Sequence, residues 1–266
     1  MSHTRTRLTV ASLNTRGVPI VGSRLAERYT AIAEVFEASE VDVVNVQEVL
    51  TYYHLRRLVR SMPSYRFVSF RRSVAGPAGG LVTLSRSPVS RTAYRRFPFP
   101  SAADAAGLPR LSRLNASLKG ALVTTLAGIS IVNTHLLANV DGDWSETNRF
   151  YRLHQSQLTA LGRYVGAVPQ PAIVCGDFNI ARDSSLYCEF IRQTGLLDAY
   201  GDDCPPTFHA AYLEPGQPSH CIDFLLLSDP SITLEAAELT FTDKPLMPGG
   251  AGYASDHLGL LARVAI

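Results

Sequence analysis

The sequence predicts an α/β sandwich, and three observations carry the prediction. Strand-like apolar segments alternate with amphipathic helical ones from end to end. Apolar residues make up 46% of 266 residues and charged residues 18%, enough to bury a substantial core. Low-complexity tracts and short-period repeats are absent, so neither disorder nor a solenoid is expected. One domain spanning residues 1–266 is the expectation.

The elements follow in order. Residues 8–14 alternate as a first strand, and residues 23–39 set Leu25, Tyr29, Ile32, Val35 and Phe36 on one helical face. Residues 41–46 are β-branched and apolar enough for a central strand. A short helix then turns Tyr52, Leu55, Val59 and Met62 inward. Gly and Pro punctuate short strands between Phe67 and Arg96, which predicts an antiparallel meander. Pro98, Pro100, Gly107 and Pro109 make residues 97–113 a long surface loop, a common carrier of substrate contacts. Residues 121–126 and 129–135 form a hairpin about Ala127-Gly128. A long helix starts near Ser145, with Phe150, Leu153, Leu158, Leu161 and Val165 near one face. Residues 172–175, 221–227, 232–241 and 258–266 supply the later strands.

The net charge of +2 lacks the basic excess of most nucleic-acid binders, though it leaves room for a local cluster. Cys175, Cys188, Cys204 and Cys221 contain no C-x-x-C pair and are too few for a disulfide scaffold, so buried thiols are expected. No apolar run reaches transmembrane length, and residues 1–7 lack the apolar core of a signal peptide. The expectation is a soluble cytoplasmic protein, or a secreted one whose leader has been removed.

Polar residues gather where apolar strands stop: Asn14, Gln47-Glu48, Asn133-Thr134-His135, Gly176-Asp177-Phe178-Asn179 and Ser255-Asp256-His257. Asp223 sits inside the apolar run Cys221-Ile222-Asp223-Phe224-Leu225-Leu226-Leu227, where an isolated carboxylate is costly and needs a partner. Any one cluster is equally well a turn. Together they argue for one site, because strand ends converge on one rim of a sheet. Carboxylates and amides suit a hard cation such as Mg2+, with Mn2+ as the other choice, that keeps waters for a phosphate. Glu48 is the first ligand, Asn14 lies beside it and Asp256 is a further ligand. The histidines remain for proton transfer and phosphate contact. Zinc is disfavoured, since H-E-x-x-H is missing.

The collinear order of these motifs, with Ile222-Asp223-Phe224, resembles the endonuclease/exonuclease/phosphatase superfamily, from Asn14 to His257. That group includes deoxyribonuclease I, abasic-site endonucleases, neutral sphingomyelinases and inositol polyphosphate 5-phosphatases. The resemblance implies a four-layer sandwich, two packed mixed β-sheets flanked by helices, with the site at the sheet rim. It also implies roles. Glu48 is the principal magnesium ligand with Asn14 its neighbour, and Asp256 is a metal-site carboxylate. Asp177 and Asn179 orient the attacking water and the scissile phosphate. His257 activates water or stabilises the pentavalent phosphate, Asp223 fixes its tautomer, and His135 contacts the phosphate or leaving oxygen. Whether His257 or Asp177 takes the water proton stays open. Abasic-site endonucleases carry an acidic residue two after the first Asn; here it is Arg16, which either binds phosphate or is solvated.

For the substrate, residues 80–89, Phe97-Pro98-Phe99 ahead of Lys119-Gly120, and residues 133–138 followed by Arg152 and Gln155 are similar to the neutral sphingomyelinase branch. Lys119 either reaches a phosphate as a point charge or is a solvent lysine. Phe97 and Phe99 either touch lipid or join the core. The expected activity is therefore Mg2+-dependent hydrolysis of a phospholipid headgroup diester, with transient membrane-surface contact. A DNA nuclease is the alternative, suggested by Arg56, Arg57, Arg60, Arg66, Arg71 and Arg72; helical spacing also fits a solvated face for the first three. An inositol phosphate or other monoester phosphatase ranks lower. A binding protein without chemistry ranks lowest, since no cluster is missing.

Overall fold

The computed structural model describes residues 6–19, 24–201, 204–244, 246–247 and 250–266. In chain order the first elements are β1 (Arg7–Asn14), α1 (Leu25–Glu37), β2 (Val43–Gln47), α2 (Tyr52–Arg60), β3 (Phe67–Ser69), β4 (Val82–Ser85), β5 (Arg91–Arg96) and α3 (Arg110–Leu118). Then come β6 (Gly120–Leu126), β7 (Ile129–His135), α4 (Tyr151–Gly166), β8 (Ala172–Asp177), α5 (Ser185–Thr194), β9 (Leu197–Asp198) and β10 (Asp223–Leu227). The chain closes with β11 (Thr233–Thr240), a ribbon of β12 (Leu246–Met247) and β13 (Gly250–Ala251), and β14 (Gly259–Ala265).

Two six-stranded sheets result, ordered β11-β14-β1-β2-β4-β3 and β5-β6-β7-β8-β10-β9. Each is mixed, with one parallel pair at its centre: β1 with β2, and β7 with β8. Parallel neighbours need a crossover, which α1 and α4 provide. The alternation of side chains then assigns three apolar layers. Ala11, Leu13, Val44 and Val46 pack under Tyr29, Ile32, Phe36 and Leu58 of α1 and α2. Val132, Val174, Phe224 and Leu226 pack under Leu158, Leu161, Leu186 and Phe190 of α4 and α5. The intervening residues Leu8, Val10, Val43, Ile129, Ile131, Ile173, Cys175, Leu225, Leu227 and Leu260 meet between the sheets. This is the expected four-layer sandwich.

Several local expectations need correction. The supposed meander is divided between the sheets: β3 and β4 belong to one, β5 to the other. The loop from Phe97 to Arg113 yields to α3 at Arg110, after Pro109, whose fixed φ suits a helix entrance. Within it Phe97 is buried while Phe99 is 72% exposed. Helix α4 begins at Tyr151 rather than near Ser145, because the Asn148 side chain accepts from the Phe150 amide at 2.8 Å and holds a turn there. Leu58 rather than Val59 is fully buried on α2, and Val35 on α1 is exposed. The predicted start of α1 at Ser23 lies outside the described residues, as does most of the N-terminal segment read for a leader. Helix α5 was not predicted, although Ser184 caps it by accepting from the Tyr187 amide and Gly195 ends it at φ 67°. All four cysteines are free; Cys175 and Cys221 are buried as expected, Cys188 is exposed, and Cys204 Sγ lies 3.0 Å from Cys221 Sγ. Among the described residues no helix is long and apolar enough to cross a membrane.

Candidate active site

The column of side chains between the sheets changes character at one rim. Along β1 it reads Leu8, Val10, Ser12, Asn14; along β2, Val43, Asn45, Gln47; along β7, Ile129, Ile131, Asn133, His135; along β8, Ile173, Cys175, Asp177. β10 runs the other way and reads Asp223, Leu225, Leu227, so Asp223 starts the strand directly opposite Asp177. His135 is the parallel partner of Asp177 on the other side. Three strands therefore deliver His135, Asp177 and Asp223 in a row. Gly176 must precede Asp177 without a side chain, since a Cβ there would lie 1.9 Å from the Thr134 carbonyl oxygen.

Beneath the rim lies a buried polar layer. Gln47 Nε2 donates to Asn133 Oδ1 at 2.8 Å across the two sheets, and Asn133 Nδ2 donates to the Val46 and Val82 carbonyls at 3.2 and 3.0 Å. The Thr83 hydroxyl donates to Asn45 Oδ1 at 2.7 Å. Gln47 and Asn133 thus form a platform joining the sheets rather than part of the reacting surface.

Both oxygens of Asp177 are held. The Asn179 amide donates to Oδ1 at 2.8 Å, and Asn14 Nδ2 donates to Oδ2 at 2.8 Å. Around Oδ2 stand His135 Nε2 at 3.4 Å and His257 Nε2 at 3.9 Å. On its far nitrogen, Nδ1, His257 meets Asp223 Oδ2 at 2.8 Å. Asn14 Nδ2 is also 3.4 Å from Glu48 Oε1, and His135 Nε2 is 4.0 Å from the same oxygen. Glu48, Asn179 and Arg16 have φ of 62°, 52° and 49°, a conformation that side chains adopt at a cost and that clusters at functional sites. For Glu48 that backbone is fixed by the Tyr29 hydroxyl, which donates to its carbonyl at 3.1 Å.

Burial and charge set the protonation states. Desolvation raises Asp177 to about 7, with Asp223 adding to the effect and His257, Asn14 and Lys119 opposing it. Burial disfavours the charged form of His257, but the Asp223 carboxylate, then Asp177, more than offset it and hold the imidazolium up to about 10. His135 is pushed well below its ordinary value by burial, then by Lys119 and His257, so its imidazole is neutral. Burial lowers Lys119 to about 8 against the pull of Glu48 and Asp177, so its ammonium feels both carboxylates. The site thus draws extra protons to Asp177 and His257 near neutral pH, as expected where carboxylates outnumber cations. A hard divalent cation would supply that charge, and the donor set fits one. Asp177, Asp223 and His257 have donor atoms within 4.8 Å of one another. Asp223 and His257 already satisfy each other, however, so the oxygen-rich corner of Glu48, Asn14 and Asp177 is the better match to a hard ion.

The structure brings Asn14, Glu48, His135, Asp177, Asn179, Asp223 and His257 together, with Lys119 close enough to feel Glu48 and Asp177. Asp256 reaches the cluster through its ion pairs, with Arg16 Nε at 3.3 Å and His257 Nε2 at 3.9 Å. The Arg16 guanidinium lies 4.2 Å over the Tyr212 ring, so it is not simply solvated. Asn179 turns its amide to the Leu136 carbonyl at 3.3 Å, and its own carbonyl accepts from Trp144 Nε1 at 2.9 Å. Arg152 and Gln155 line a cleft with Leu186, Glu189 and Phe190 of α5, apart from these residues. Arg56 and Arg60 are exposed on the outward side of α2, the solvated alternative, whereas half-buried Arg57 donates from Nε to the Ala26 carbonyl of α1 at 2.8 Å. Thr207 was missed: its hydroxyl donates to Asp223 Oδ2 at 2.7 Å while accepting from the Ile222 and Asp223 amides. Ser255 was named only as part of its motif; it donates to the Asn14 carbonyl at 2.6 Å and accepts from the His257 amide, tying two motifs together.

Comparison with known proteins agrees with this architecture. Inositol phosphosphingolipids phospholipase C of Schizosaccharomyces pombe is 28% identical over 200 residues, covering 72% of this chain. The chain spans 45% of that relative's length. Sphingomyelinase C from Streptomyces griseocarneus superposes with a TM-score of 0.71 at 19% identity, covering 97% of this chain and 99% of the other. A humanised D. rerio TDP2 superposes with a TM-score of 0.72 at 17% identity, covering 97% and 98%. At such identities these two solved structures speak to the fold alone. A sequence model of the Endonuclease/Exonuclease/phosphatase family matches residues 11–257, every residue of the rim cluster included, and the chain belongs to that family.

Proposed function

We propose that the chain is a divalent-cation-dependent phosphodiesterase that releases a phospholipid headgroup by attack of water on phosphorus. The observation that carries the chemistry is Asp177, with both oxygens fixed, facing an imidazolium that Asp223 holds from behind. Glu48 and Asn14 would hold Mg2+ or Mn2+, which supplies charge to offset that developing on the phosphate oxygens.

The residues divide the remaining work. Above about pH 7 Asp177 is a carboxylate and takes the proton of the attacking water. His257, a cation up to about 10, donates to a phosphate oxygen instead of acting as the base. Asp223 and Thr207 keep its ring oriented. Neutral His135, 3.4 Å from Asp177 Oδ2, and the Lys119 ammonium, which feels the charge of Glu48 and Asp177, stabilise the phosphate or the leaving oxygen. Arg16 and Asp256 act as a pair that shapes the loop beside His257.

The lipid substrate is supported by the phospholipase C named among the relatives and by the sequence likeness to the sphingomyelinase branch at Lys119-Gly120. A Mg2+-supplemented screen of sphingomyelin, other choline phospholipids, plasmid DNA and inositol phosphates tests it. Release of a lipid headgroup faster than DNA cleavage is the expected result. Cleavage of DNA alone, or of monoesters alone, would overturn the substrate assignment.

A further inference from the structure

Helix α3 presents its apolar face outward. Leu111, Leu114 and Leu118 recur at helical spacing and are 74%, 60% and 51% exposed, whereas Ala116 is the buried residue of the helix. Phe99, 72% exposed, stands two residues from Phe97, whose amide donates to the Lys119 carbonyl at 3.1 Å just past Leu118. Exposed Arg95, Arg96, Arg110 and Arg113 accompany the leucines, and Asp104 is the sole acidic residue from Arg91 to Lys119. The patch also adjoins the site. A Cβ on Gly79 would lie 3.4 Å from the Leu118 carbonyl, and one on Gly80 would lie 3.1 Å from Glu48 Cα. Lys119, the residue after Leu118, feels the charge of Glu48 and Asp177.

We infer that α3 and Phe99 form an interfacial docking surface that seats the mouth of the active site on an anionic lipid bilayer. Apolar side chains enter the acyl boundary while the arginines meet the headgroups. A second copy fits less well, because two-fold symmetry brings the arginine-rich patch against itself. A nucleic acid would satisfy the arginines and leave the leucines in water. The inference rests on the lipid reading above, but its test is separable.

Pelleting with sucrose-loaded vesicles provides that test, using phosphatidylcholine alone and phosphatidylcholine with phosphatidylserine, neither containing sphingolipid. The protein is expected to pellet with the anionic vesicles. Leu111→Ser with Leu114→Ser should weaken that binding at least about tenfold while hydrolysis of soluble bis(4-nitrophenyl) phosphate is unchanged. Arg110→Gln with Arg113→Gln should erase the preference for phosphatidylserine. Absence of the wild type from both pellets overturns the inference, as does a leucine variant that binds like wild type. A dimer or a DNA complex that the leucine substitutions dissolve, without vesicle binding, overturns it too. If vesicles are bound yet sphingolipid in detergent micelles is not cleaved, docking stands and the substrate reading falls. The converse result removes the docking surface alone.

Discussion

Asp223 Oδ2 lies 2.8 Å from His257 Nδ1, although the two stand 34 positions apart with β11 and the β12-β13 ribbon between them in sequence. The contact is buried, and it turns the far nitrogen of the ring toward Asp177. Asp223 thereby sets the orientation of the histidine and leads the carboxylates that keep it charged.

A double-substitution cycle should find the pair acting as one unit. His257→Ala is expected to lower kcat by about a hundred- to ten-thousand-fold. Asp223→Asn should lower it less, and the double variant should be no worse than His257→Ala. Losses that multiply would separate the two residues.

Thr207 supports that unit from behind. Thr207→Val keeps the shape but removes one donor and leaves the Ile222 and Asp223 amides without their acceptor. The expected cost is about 1–3 kcal/mol of stability, read from urea denaturation, together with a lower kcat. An unchanged denaturation midpoint would mean that the hydroxyl carries no such burden.

The sequence makes the rim legible for a simple reason. Asn14, His135 and Asp177 are each the last residue of an alternating strand and Asp223 the first of its own, so one period-two pattern predicts both the fold and the meeting place. The supports are less visible. Thr207 lies on a loop with no periodicity, and only the folded chain brings its hydroxyl to Asp223. The position of Arg28 carries a signal of its own: it falls on the buried face of α1 beside Tyr29 and Ile32. There it donates to the carbonyls of Thr15, Arg16 and Ala254, anchoring the loops that carry Arg16 and His257. Residue type and motif point to Asp256 as a metal ligand, and the fold adds a partner the motif does not show, Arg16 at 3.3 Å. Strand ends follow from pattern, whereas the partner of a charged loop residue depends on how two loops approach.

The protonation states fix the sign of the pH dependence. Without the cation Asp177 loses its proton as pH rises through about 7, so activity should rise with pH on the acid side, and His257 loses its proton through about 10, so activity should then fall. A bound divalent cation favours the Asp177 carboxylate and should move the acid limb to lower pH. Because Asp223 is what holds the imidazolium up, Asp223→Asn should bring the alkaline limb to lower pH. A kcat/KM profile whose alkaline limb ignores that substitution would contradict the assignment of His257 as the cation.

Glu48 is proposed to anchor a cation beside Asp177 for hydrolysis of a lipid phosphodiester, and a metal titration measures that role. Initial rates of phosphocholine release from sphingomyelin in detergent micelles are measured against Mg2+ for the wild type and Glu48→Gln, after exhaustive chelation of both. The wild type is expected to rise from none to a saturating rate, and the variant to stay at least about a thousandfold lower with its circular dichroism unchanged. Equal turnover by the variant, or wild-type release that ignores Mg2+ and Mn2+, would remove the Glu48-bound cation from the mechanism.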